Sequence, residues 1–376
     1  MSVDHAEPSA AEQFMGRAIA LARRGEGRTT PNPPVGAVLV KDGAVVGEGY
    51  HPAAGEPHAE IIALRAAGSR ARGADLYVTL EPCCHHGRTG PCTEALAAAG
   101  IRKVFYGTVD PNPRVAGQGL DRLRAAGIEV VPGPLTDACR RLIAPFAKHV
   151  TSGRPYVILK AAMTLDGQLA TSSGESQWIT GAASRQLVHR LRDRVDGVLT
   201  GAGTVLADNP RLTVRLVEGG RNPARIVVDS SLRTPAAALV YAPQAAGRRI
   251  LVTAADASSR RRAAFIRQGV EIISVARQGE HLDLAAAMAA LGGSGLQSLL
   301  VEGGGLLNRA LLHAGLVDRL MLFVAPLLLG GCDGKPLFAG AGIARLADAL
   351  RLDEMQVSRI GNDVLLEGEV ARCSPD

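Results

Sequence analysis

The order of apolar and polar positions in the first part of the chain predicts alternating helices and strands. An amphipathic helix over 10–24 precedes two strands, 35–40 and 44–50, which reverse direction at Asp42-Gly43. Further helices are predicted at 58–67, from 93, at 120–126 and at 135–149, and further strands at 75–80, 103–108 and 128–131. This alternation predicts an α/β domain with a largely parallel sheet covered on both faces.

A second α/β pattern follows residues 151–155, whose Thr-Ser-Gly-Arg-Pro composition is that of a linker. We therefore predict two domains, residues 1–150 and 151–376. The predicted elements of the second are strands at 156–162, 197–200, 225–228, 249–253 and 298–301, and helices at 183–194 and 306–313. The apolar stretch 320–329 forms either a core strand or part of a dimer interface, and we favour the core strand.

A histidine, a glutamate and two cysteines, each close behind a proline, stand out in the first hundred residues. The tetrapeptide PHAE at 57–60 is followed by Cys83 and Cys92. One imidazole and two thiolates leave a fourth tetrahedral position on zinc open to water, and a carboxylate that is not a ligand can move that water's proton. The pattern is the signature of zinc deaminases, although eight residues separate the cysteines here instead of two.

The predicted elements suggest which of these residues bind the metal and which one moves the proton. On a regular helix, side chains two positions apart diverge by about 200°, so Glu60 is expected to carry the proton while His58 binds the metal. Cys92 opens a predicted helix, whose dipole favours a thiolate, and Cys83 follows a buried strand, where open α/β sheets bind ligands.

A closed, structural zinc site is the alternative to this open one. It would take its fourth ligand from the residues next to Cys83, namely Cys84, His85 or His86.

Composition narrows the class of partner. The chain has 376 residues with 47% hydrophobic and 21% charged residues, as expected for a globular protein. A net charge of +6 and a pI near 9.2 favour an anionic partner, but with 3% aromatic residues a phosphorylated small molecule fits better than nucleic acid. The six cysteines do not resemble a disulfide framework, and there is neither a signal peptide pattern nor an apolar run of membrane-spanning length. We therefore expect a cytoplasmic protein that does not bind a membrane.

Four segments of the first half resemble the deaminase half of the bifunctional riboflavin-biosynthesis deaminase/reductase family. They are 29–50 (TTPNPPVGAVLVKDGAVVGEGY), 51–64 (HPAAGEPHAEIIAL), 79–92 (TLEPCCHHGRTGPC) and 110–127 (DPNPRVAGQGLDRLRAAG). The eight-residue spacer is that family's own variant. The resemblance implies a cytidine-deaminase-like three-layer domain, with His58, Cys83 and Cys92 as ligands of Zn²⁺ and Glu60 as proton carrier. It also implies substrate contacts from Asn32, His51, His85, Arg88, Asp110 and Asn112.

The second half resembles the reductase half of the same family, which has a dihydrofolate-reductase-like α/β fold. The matching segments are 160–167, 174–181, 201–205, 208–213 and 301–305. Glycines after the strand 298–301 would let a phosphate approach the start of the next helix, and the glycine-bearing loop at 201–204 offers a second approach. By resemblance, NADPH contacts Ala162, Trp178, Thr204, Asp208, Ser230, Gly304, Gly305, Leu306, Leu307, Asn308, Arg309 and Ala310. The reductase substrate would contact Ser176, Arg192, Leu212, Arg215 and Glu302. Taken by itself, a lone tryptophan such as Trp178 is more often a core residue.

The resemblance implies two consecutive reactions on a phosphorylated pyrimidine. The first is zinc-dependent hydrolytic deamination of 2,5-diamino-6-(5-phosphoribosylamino)pyrimidin-4-one. The second is NADPH-dependent reduction of the ribosyl group, which gives 5-amino-6-(5-phosphoribitylamino)uracil. Lys160 or Glu302 would supply the proton in the second step, and we name Lys160 as the catalytic residue. We also expect a homo-oligomer, a dimer or a tetramer.

Two other functions remain open at this point. One is a nucleic-acid-editing zinc deaminase fused to a reductase-like domain, against which the scarcity of aromatic residues counts. The other is a protein without catalysis, in which the zinc is structural and the second half senses NADPH.

Overall fold

The computed structural model describes residues 7–85, 90–113 and 115–371. The chain divides into two compact units, one ending at Ser152 and the other beginning at Gly153. The division falls two residues after the boundary that the sequence predicts. The stretch 151–155 is not a linker throughout, because a helix continues to Ser152 and the chain turns at Gly153, whose φ is 68°.

The first unit alternates helices and strands in the predicted order. Its elements are α1 (Ala10–Ala22), β1 (Gly36–Lys41), β2 (Ala44–Tyr50), α2 (Ala59–Ala67), β3 (Asp75–Val78), α3 (Cys92–Ala99), β4 (Lys103–Tyr106), α4 (Gln118–Ala125), β5 (Glu129–Pro132), α5 (Thr136–Leu142) and α6 (Ala144–Ser152), with short 3-10 turns at Arg23–Gly25 and Gly68–Ala71. The single helix predicted over 135–149 is wrong, because the chain forms two helices that meet at Ile143.

The described strands of this unit form one sheet in the order β2-β1-β3-β4-β5. β1 runs antiparallel to β2 and to β3, whereas β3, β4 and β5 are parallel. The sheet is therefore mixed rather than largely parallel. Side chains that alternate along the strands bury Leu39 and Leu76 against α2, α3 and α4, and Val38 and Tyr77 against α1 and α5. The predicted three-layer arrangement is confirmed.

The helix α2, which follows the histidine of the motif and carries its glutamate, lies close against the sheet. A Cβ atom on Gly47 would be 2.3 Å from the carbonyl oxygen of Ala63, and one on Gly49 would be 2.3 Å from that of Ala59. Only glycine permits this approach. The glycines of β2 therefore fix where α2 begins and so fix the position of its first residues.

The second unit is built on a longer sheet. Its elements are β6 (Tyr156–Thr164), α7 (Ala182–Arg194), β7 (Gly197–Gly201), α8 (Ala202–Asp208), β8 (Ala224–Val228), β9 (Arg249–Ala254), α9 (Ser259–Arg267), β10 (Glu271–Val275), β11 (Arg277–Gln278), β12 (His281–Leu282), α10 (Leu284–Gly293), β13 (Ser298–Val301), α11 (Gly305–His313), β14 (Arg319–Ala325), β15 (Leu352–Ile360) and β16 (Asp363–Val370), with 3-10 turns at Leu239–Tyr241 and Leu346–Asp348. In the described ranges, nine strands pair in the order β10-β9-β8-β7-β13-β6-β14-β16-β15.

Neighbouring strands from β10 to β14 in that order are parallel, and β16 and β15 extend the sheet as an antiparallel hairpin. The buried strand β14 pairs with β6 and β16, which confirms a core strand for 320–325. The rest of the predicted stretch, 326–329, lies beyond the strand and is exposed, so that part of the prediction is wrong. Helices α10 and α11 cover one face, through Leu291 and Leu311, and α7 and α9 cover the other, through Val188 and Phe265. Within the described ranges, every helix is too short or too polar to cross a lipid bilayer.

Candidate active sites

Three predicted metal ligands meet where α2 and α3 begin. His58 precedes α2 in an extended conformation, Cys92 is the first residue of α3, and Cys83 lies in the loop that follows β3. The Nδ1 atom of His58 is 3.3 Å from Sγ of Cys92 and 3.5 Å from Sγ of Cys83. In a tetrahedral zinc site with Zn–S about 2.3 Å and Zn–N about 2.0 Å, the N···S edges are roughly 3.5 Å. The donor set and its spacing therefore fit zinc.

The described residues supply three ligands rather than four. Among them, His58, Cys83 and Cys92 form the only group of three or more metal-binding side chains, with all donor atoms within 4.8 Å of one another. Cys84 is buried outside this group, and His85 lines the adjacent cavity. His86, like Arg88, lies outside the described residues. In the described part of the chain the geometry is that of an open site.

The two thiols of the cluster share one hydrogen-bonding system. The backbone N–H of Cys92 donates to Sγ of Cys83 at 3.4 Å. Hydrogen bonds from the Cys92 thiol and from His58 lower the pKa of Cys83. The hydrogen bond with Cys83, together with burial, raises the pKa of Cys92. Without a cation, one thiolate is therefore stabilised at the expense of the other, and a bound cation would stabilise both.

Glu60 is buried beside the cluster but is not part of it. Because His58 lies before the helix rather than within it, the 200° separation expected from regular helix geometry does not apply to this pair. Glu60 is 3% exposed, and burial, reinforced by the charge of Cys83, raises its pKa to about 7. A carboxyl group with this pKa can both accept and release a proton near neutral pH.

A cavity of about 420 Å³ opens above the cluster. Its lining includes the predicted substrate residues of this half that fall in the described ranges, two of the metal ligands and the predicted proton carrier: Asn32, His51, His58, Glu60, Cys83, His85, Asp110 and Asn112. Cys92 is fully buried and is not among the lining residues.

Hydrogen bonds set the protonation of His51 and the orientation of Asn32. The Nδ1 atom of His51 is 3.2 Å from the carbonyl oxygen of Pro57, which can only accept, so this nitrogen carries the proton. Its Nε2 atom then accepts a hydrogen bond from the amide nitrogen of Asn32 at 3.1 Å. Burial lowers the pKa of His51, which keeps the ring neutral. The Asn32 side chain is thus held with its amide nitrogen facing His51.

Glu81 organises the far wall of this cavity, a role that the sequence did not reveal. Its buried carboxylate accepts hydrogen bonds from the backbone N–H groups of Asp110, Gly117 and Gly119 at 3.0, 2.9 and 2.8 Å. The Asp110 carboxylate in turn accepts from the backbone of Asn112 at 2.8 Å. Both predicted substrate residues of this loop therefore depend on Glu81 for their position.

The second unit contains a larger cavity, of about 1500 Å³, at the carboxyl ends of its parallel strands. The predicted residues of this half that line it are Lys160, Ala162, Ser176, Trp178, Arg192, Thr204, Asp208, Leu212, Arg215, Ser230, Glu302, Gly304, Gly305, Leu306, Leu307, Arg309 and Ala310. Asn308 is the exception. Its side chain is fully buried and donates to the carbonyl oxygen of Leu337 at 3.4 Å, so the structure places it in the packing beneath the cavity and not in its lining.

The two glycine-bearing loops adjoin each other in this cavity. A Cβ atom on Gly304 would be 3.5 Å from Oγ1 of Thr204, and one on Gly201 would be 3.4 Å from the side chain of Leu307. The first turn of α11 begins at Gly304, which provides no side chain to cap it. Its backbone N–H groups are therefore available to an anion, as dinucleotide phosphates require.

Trp178 is not a core residue. Its side chain is 65% exposed in the cavity wall, with the Arg185 guanidinium 4.7 Å from the ring centre. The expectation that a lone tryptophan would be buried is therefore wrong for this position. An exposed aromatic ring at a cavity is instead suited to contact a bound ring system.

A half-buried glutamate, Glu302, forms the polar centre of the cavity with two basic neighbours. Arg192 pairs with Glu302 through two hydrogen bonds, of 2.6 and 2.9 Å, and Lys160 Nζ lies 4.0 Å from the same carboxylate. Burial alone would raise the pKa of Glu302, but the charges of Arg192 and Lys160 and the hydrogen bonds from Arg192 lower it to about 2. Burial and the charge of Arg192 lower the pKa of Lys160. Glu302 is therefore ionised at neutral pH and can only accept hydrogen bonds, whereas Lys160 releases its proton more readily than an ordinary lysine.

Both units match known protein families. The family model for the cytidine and deoxycytidylate deaminase zinc-binding region matches residues 8–108, and the model for the RibD C-terminal domain matches residues 155–366. The riboflavin biosynthesis protein RibD of Actinobacillus pleuropneumoniae is 44% identical, over 94% of this chain and 94% of that protein. RibD of Escherichia coli K12 is 45% identical, over 94% of this chain and 98% of that protein.

Solved structures agree with these matches. RibD of Acinetobacter baumannii has a TM-score of 0.84 and 39% identity, covering 96% of this chain and 99% of that one. A Thermotoga maritima protein described as a diaminohydroxyphosphoribosylaminopyrimidine deaminase/5-amino-6-(5-phosphoribosylamino)uracil reductase has a TM-score of 0.82 and 38% identity over the same shares. Relatives that span both units set aside the fusion of an editing deaminase to an unrelated domain, and also the protein without catalysis. The chain therefore belongs to the RibD family, the bifunctional zinc-binding deaminase and reductase of riboflavin biosynthesis.

Proposed function

We propose that the first unit deaminates 2,5-diamino-6-(5-phosphoribosylamino)pyrimidin-4-one by hydrolysis. The second unit then reduces the ribosyl group of the product with NADPH, which gives 5-amino-6-(5-phosphoribitylamino)uracil. The main support is the three-ligand group of His58, Cys83 and Cys92 with Glu60 buried beside it. The name of the Thermotoga maritima relative states the same two activities.

In the deamination, the residues of the first cavity position water and substrate and move the proton. Zn²⁺ held by His58, Cys83 and Cys92 would lower the pKa of a water molecule and so supply the nucleophile. Glu60 takes a proton from this water and delivers it to the departing amino group, which leaves as ammonia. Its raised pKa suits both transfers. Asn32, oriented by His51, provides polar contacts for the pyrimidine.

In the reduction, Lys160 places the proton. NADPH, when bound, would supply the hydride that reduces C1′ of the ribosyl group in its open imine form. The Nζ atom of Lys160 then donates a proton to the imine nitrogen. Glu302 is held ionised by Arg192, so it is unsuited to donate, and its charge opposes the burial and the charge of Arg192 that lower the pKa of Lys160. These charges support Lys160 rather than Glu302 as the proton donor.

The second cavity has the features that a dinucleotide needs. Two adjoining glycine-bearing loops permit close approach of the cofactor, and the start of α11 offers N–H groups for a phosphate. Trp178 and Thr204 lie in the same lining, as do the residues proposed to hold the substrate. We therefore keep the proposed NADPH contacts except that of the Asn308 side chain.

Product identification tests this function. The purified zinc-loaded chain is given the diamino substrate with and without NADPH, and the products are identified by mass spectrometry. Without NADPH, the expected product has exchanged one amino group for oxygen and ammonia is released. With NADPH, that product gains two hydrogen atoms. Unchanged substrate in both reactions would contradict the proposal.

Compartment and assembly form a separate part of the proposal. We infer that the enzyme works in the cytoplasm as a homo-oligomer, a dimer or a tetramer, on small phosphorylated molecules and not on nucleic acid or at a membrane. Exposed apolar side chains on the edge strand β15, among them Met355 and Val357, support association of copies. Light scattering of the purified chain measures the mass, and a monomer at micromolar concentration would contradict the inference.

A further inference from the structure

His189 lies in the wall of the reductase cavity and has no part in the function described so far. It stands on α7 three residues before Arg192, a spacing that places both side chains on the same face of the helix. The residue is 6% exposed. Buried histidines usually have both ring nitrogens satisfied by the protein.

One ring nitrogen of His189 is fixed by the backbone of a proposed substrate residue. The backbone N–H of Arg215 donates to Nδ1 of His189 at 3.1 Å. Nδ1 therefore carries no proton, and the neutral ring must carry its proton on Nε2. Burial, together with the charges of Arg192, Arg215 and Lys160, lowers the pKa of His189 to about 4 against the opposing effect of Glu302. The ring is a neutral donor at physiological pH.

The second ring nitrogen opens to the cavity. Within the described ranges, no residue accepts a hydrogen bond from Nε2 of His189. The atom is also not among the described buried side-chain atoms that lack a partner, so solvent reaches it. Since the residue lines the cavity, this access comes from the cavity side. The Nε2–H group is therefore available to an acceptor in the cavity.

The charged groups around this N–H determine which kind of acceptor the site favours. The guanidinium groups of Arg192 and Arg215 and the ammonium group of Lys160 are donors only, and the carboxylate of Glu302 is paired with Arg192. Arg192 and Arg215 each also donate one hydrogen bond to Thr213. Such surroundings suit a group that accepts on every atom, as a phosphate does. A neutral imidazole adds a donor there without adding a fourth positive charge.

We propose that His189 donates a hydrogen bond from Nε2 to the phosphate of the reductase substrate, while its Nδ1 holds the backbone of Arg215 beside that phosphate. This inference rests on the proposed function, since it takes the phosphorylated pyrimidine as the substrate. It makes His189 a specificity residue for the phosphate group.

Two substitutions test the roles of the two ring nitrogens separately. His189→Asn keeps an acceptor near the Nδ1 position and lacks the Nε2 donor, whereas His189→Gln reaches the Nε2 position and lacks the Nδ1 acceptor. NADPH oxidation is measured with the deaminated substrate and with the same compound after removal of its phosphate. Gln186→Asn, at an exposed position of α7, is the matched control.

For His189→Asn we expect KM for the phosphorylated substrate to rise by about 10- to 100-fold, as for loss of a hydrogen bond to a charged group, with kcat changed by less than about threefold. KM for the dephosphorylated compound should stay the same. His189→Gln should retain a larger preference for the phosphorylated compound than His189→Asn. The control should match the wild-type chain.

Two results would overturn the inference. An equal rise in KM for both compounds would show that His189 only packs the Arg215 loop, and an unchanged KM would show that it does not contact the phosphate. Quenching of Trp178, the only tryptophan, by NADPH reports whether each variant keeps an intact cavity. Failure of the wild-type chain to reduce the phosphorylated compound would instead contradict the proposed function.

Discussion

Glu60 in the first unit and Glu302 in the second each lie beside the reactive groups of their site, and the two have opposite acid strength. Both side chains are largely shielded from solvent. The pKa of Glu60 is raised to about 7, and that of Glu302 is lowered to about 2. Glu60 neighbours a thiolate, whereas Glu302 is paired with Arg192 and lies near Lys160. Burial raises the pKa of both carboxyl groups, and only at Glu302 do basic neighbours reverse that effect, so Glu302 remains charged while Glu60 can exchange a proton.

This difference matches the two chemistries proposed. Hydrolytic deamination needs a group that receives a proton and gives it up within one turnover. The reduction needs a fixed negative charge that keeps the neighbouring Lys160 able to donate. Substituting glutamine for the glutamate of each site therefore tests the comparison directly, because glutamine keeps the shape of the side chain and removes its charge.

The largest expected effect is that of Glu60→Gln on deamination. Removing a proton carrier from the reaction should lower kcat by about 10²- to 10⁴-fold. Zinc content, measured by mass spectrometry of the metal, should be unchanged, because the three ligands remain. Ammonia release from the diamino substrate gives the rate.

The reductase reaction of Glu60→Gln provides an internal control. Reduction of the separately supplied deaminated intermediate should proceed at the wild-type rate, since Glu60 belongs to the other unit. Loss of zinc together with Glu60 would show that it is a ligand, and the contrast with Glu302 would then need a different explanation.

Glu302→Gln should affect the reduction and its pH dependence. The charge of Glu302 raises the pKa of Lys160, whereas burial and Arg192 lower it, so the substitution should lower that pKa further. If protonated Lys160 is the donor, activity falls as pH rises through its pKa, and this alkaline limb should move to lower pH. At neutral pH we expect a loss of about 100-fold in kcat/KM, within the range for removing general-acid catalysis.

A pH–rate profile of NADPH oxidation measures this shift. Glu367→Gln removes a different paired carboxylate, 3.0 Å from Arg319 in the same sheet, and should leave the profile unchanged. An alkaline limb that stays in place in Glu302→Gln would exclude Lys160 as the titrating donor.

The two substitutions should change stability in opposite directions. With a folded pKa of about 7 against an ordinary 4.5, ionised Glu60 destabilises the zinc-free fold, a cost absent below pH 4.5 and complete above pH 7. Glu302 has a lowered pKa, so its contribution is present above pH 4.5 and is lost as pH falls toward 2. At pH 8, thermal unfolding with chelator should therefore show Glu60→Gln stabilised and Glu302→Gln destabilised, each by a few kcal/mol.

Two stability changes of the same sign would mean that packing rather than charge dominates at one of the sites. A matched measurement at pH 4 distinguishes the causes. There the stabilising effect of Glu60→Gln should disappear, because the carboxyl group is protonated in both the folded and the unfolded chain.

The metal ligands could be predicted from the sequence, but the charged neighbours that shift the pKa values of the site residues could not. The metal motif and the glycine loops are local patterns, so His58, Cys83, Cys92 and the start of α11 follow from their spacing. Arg192 meets Glu302 only because α7 packs across the end of β13, 110 positions further along the chain. The antiparallel pairing of β1 with β3 likewise depends on strand order, which periodicity does not encode.

The smallest expected effect concerns Glu81, whose importance also arises from distant backbone groups. Glu81→Gln replaces one accepting oxygen by a donor, so at least one bond to the N–H groups of Asp110, Gly117 and Gly119 is lost. The loop that carries Asp110 and Asn112 should then shift, and KM for the diamino substrate should rise by about tenfold, as for one hydrogen bond to a charged group.

Because Glu81 touches the loop and not the reacting atoms, kcat should change by less than about threefold, in contrast to the effect on kcat of losing a proton carrier. Steady-state ammonia release over a range of substrate concentrations separates the two constants. Glu129→Gln, which removes an exposed carboxylate paired with Lys103, is the control and should change neither. A loss confined to kcat in Glu81→Gln would place this carboxylate in the proton transfer itself, and the first unit would then hold two buried acids that share the role assigned to Glu60.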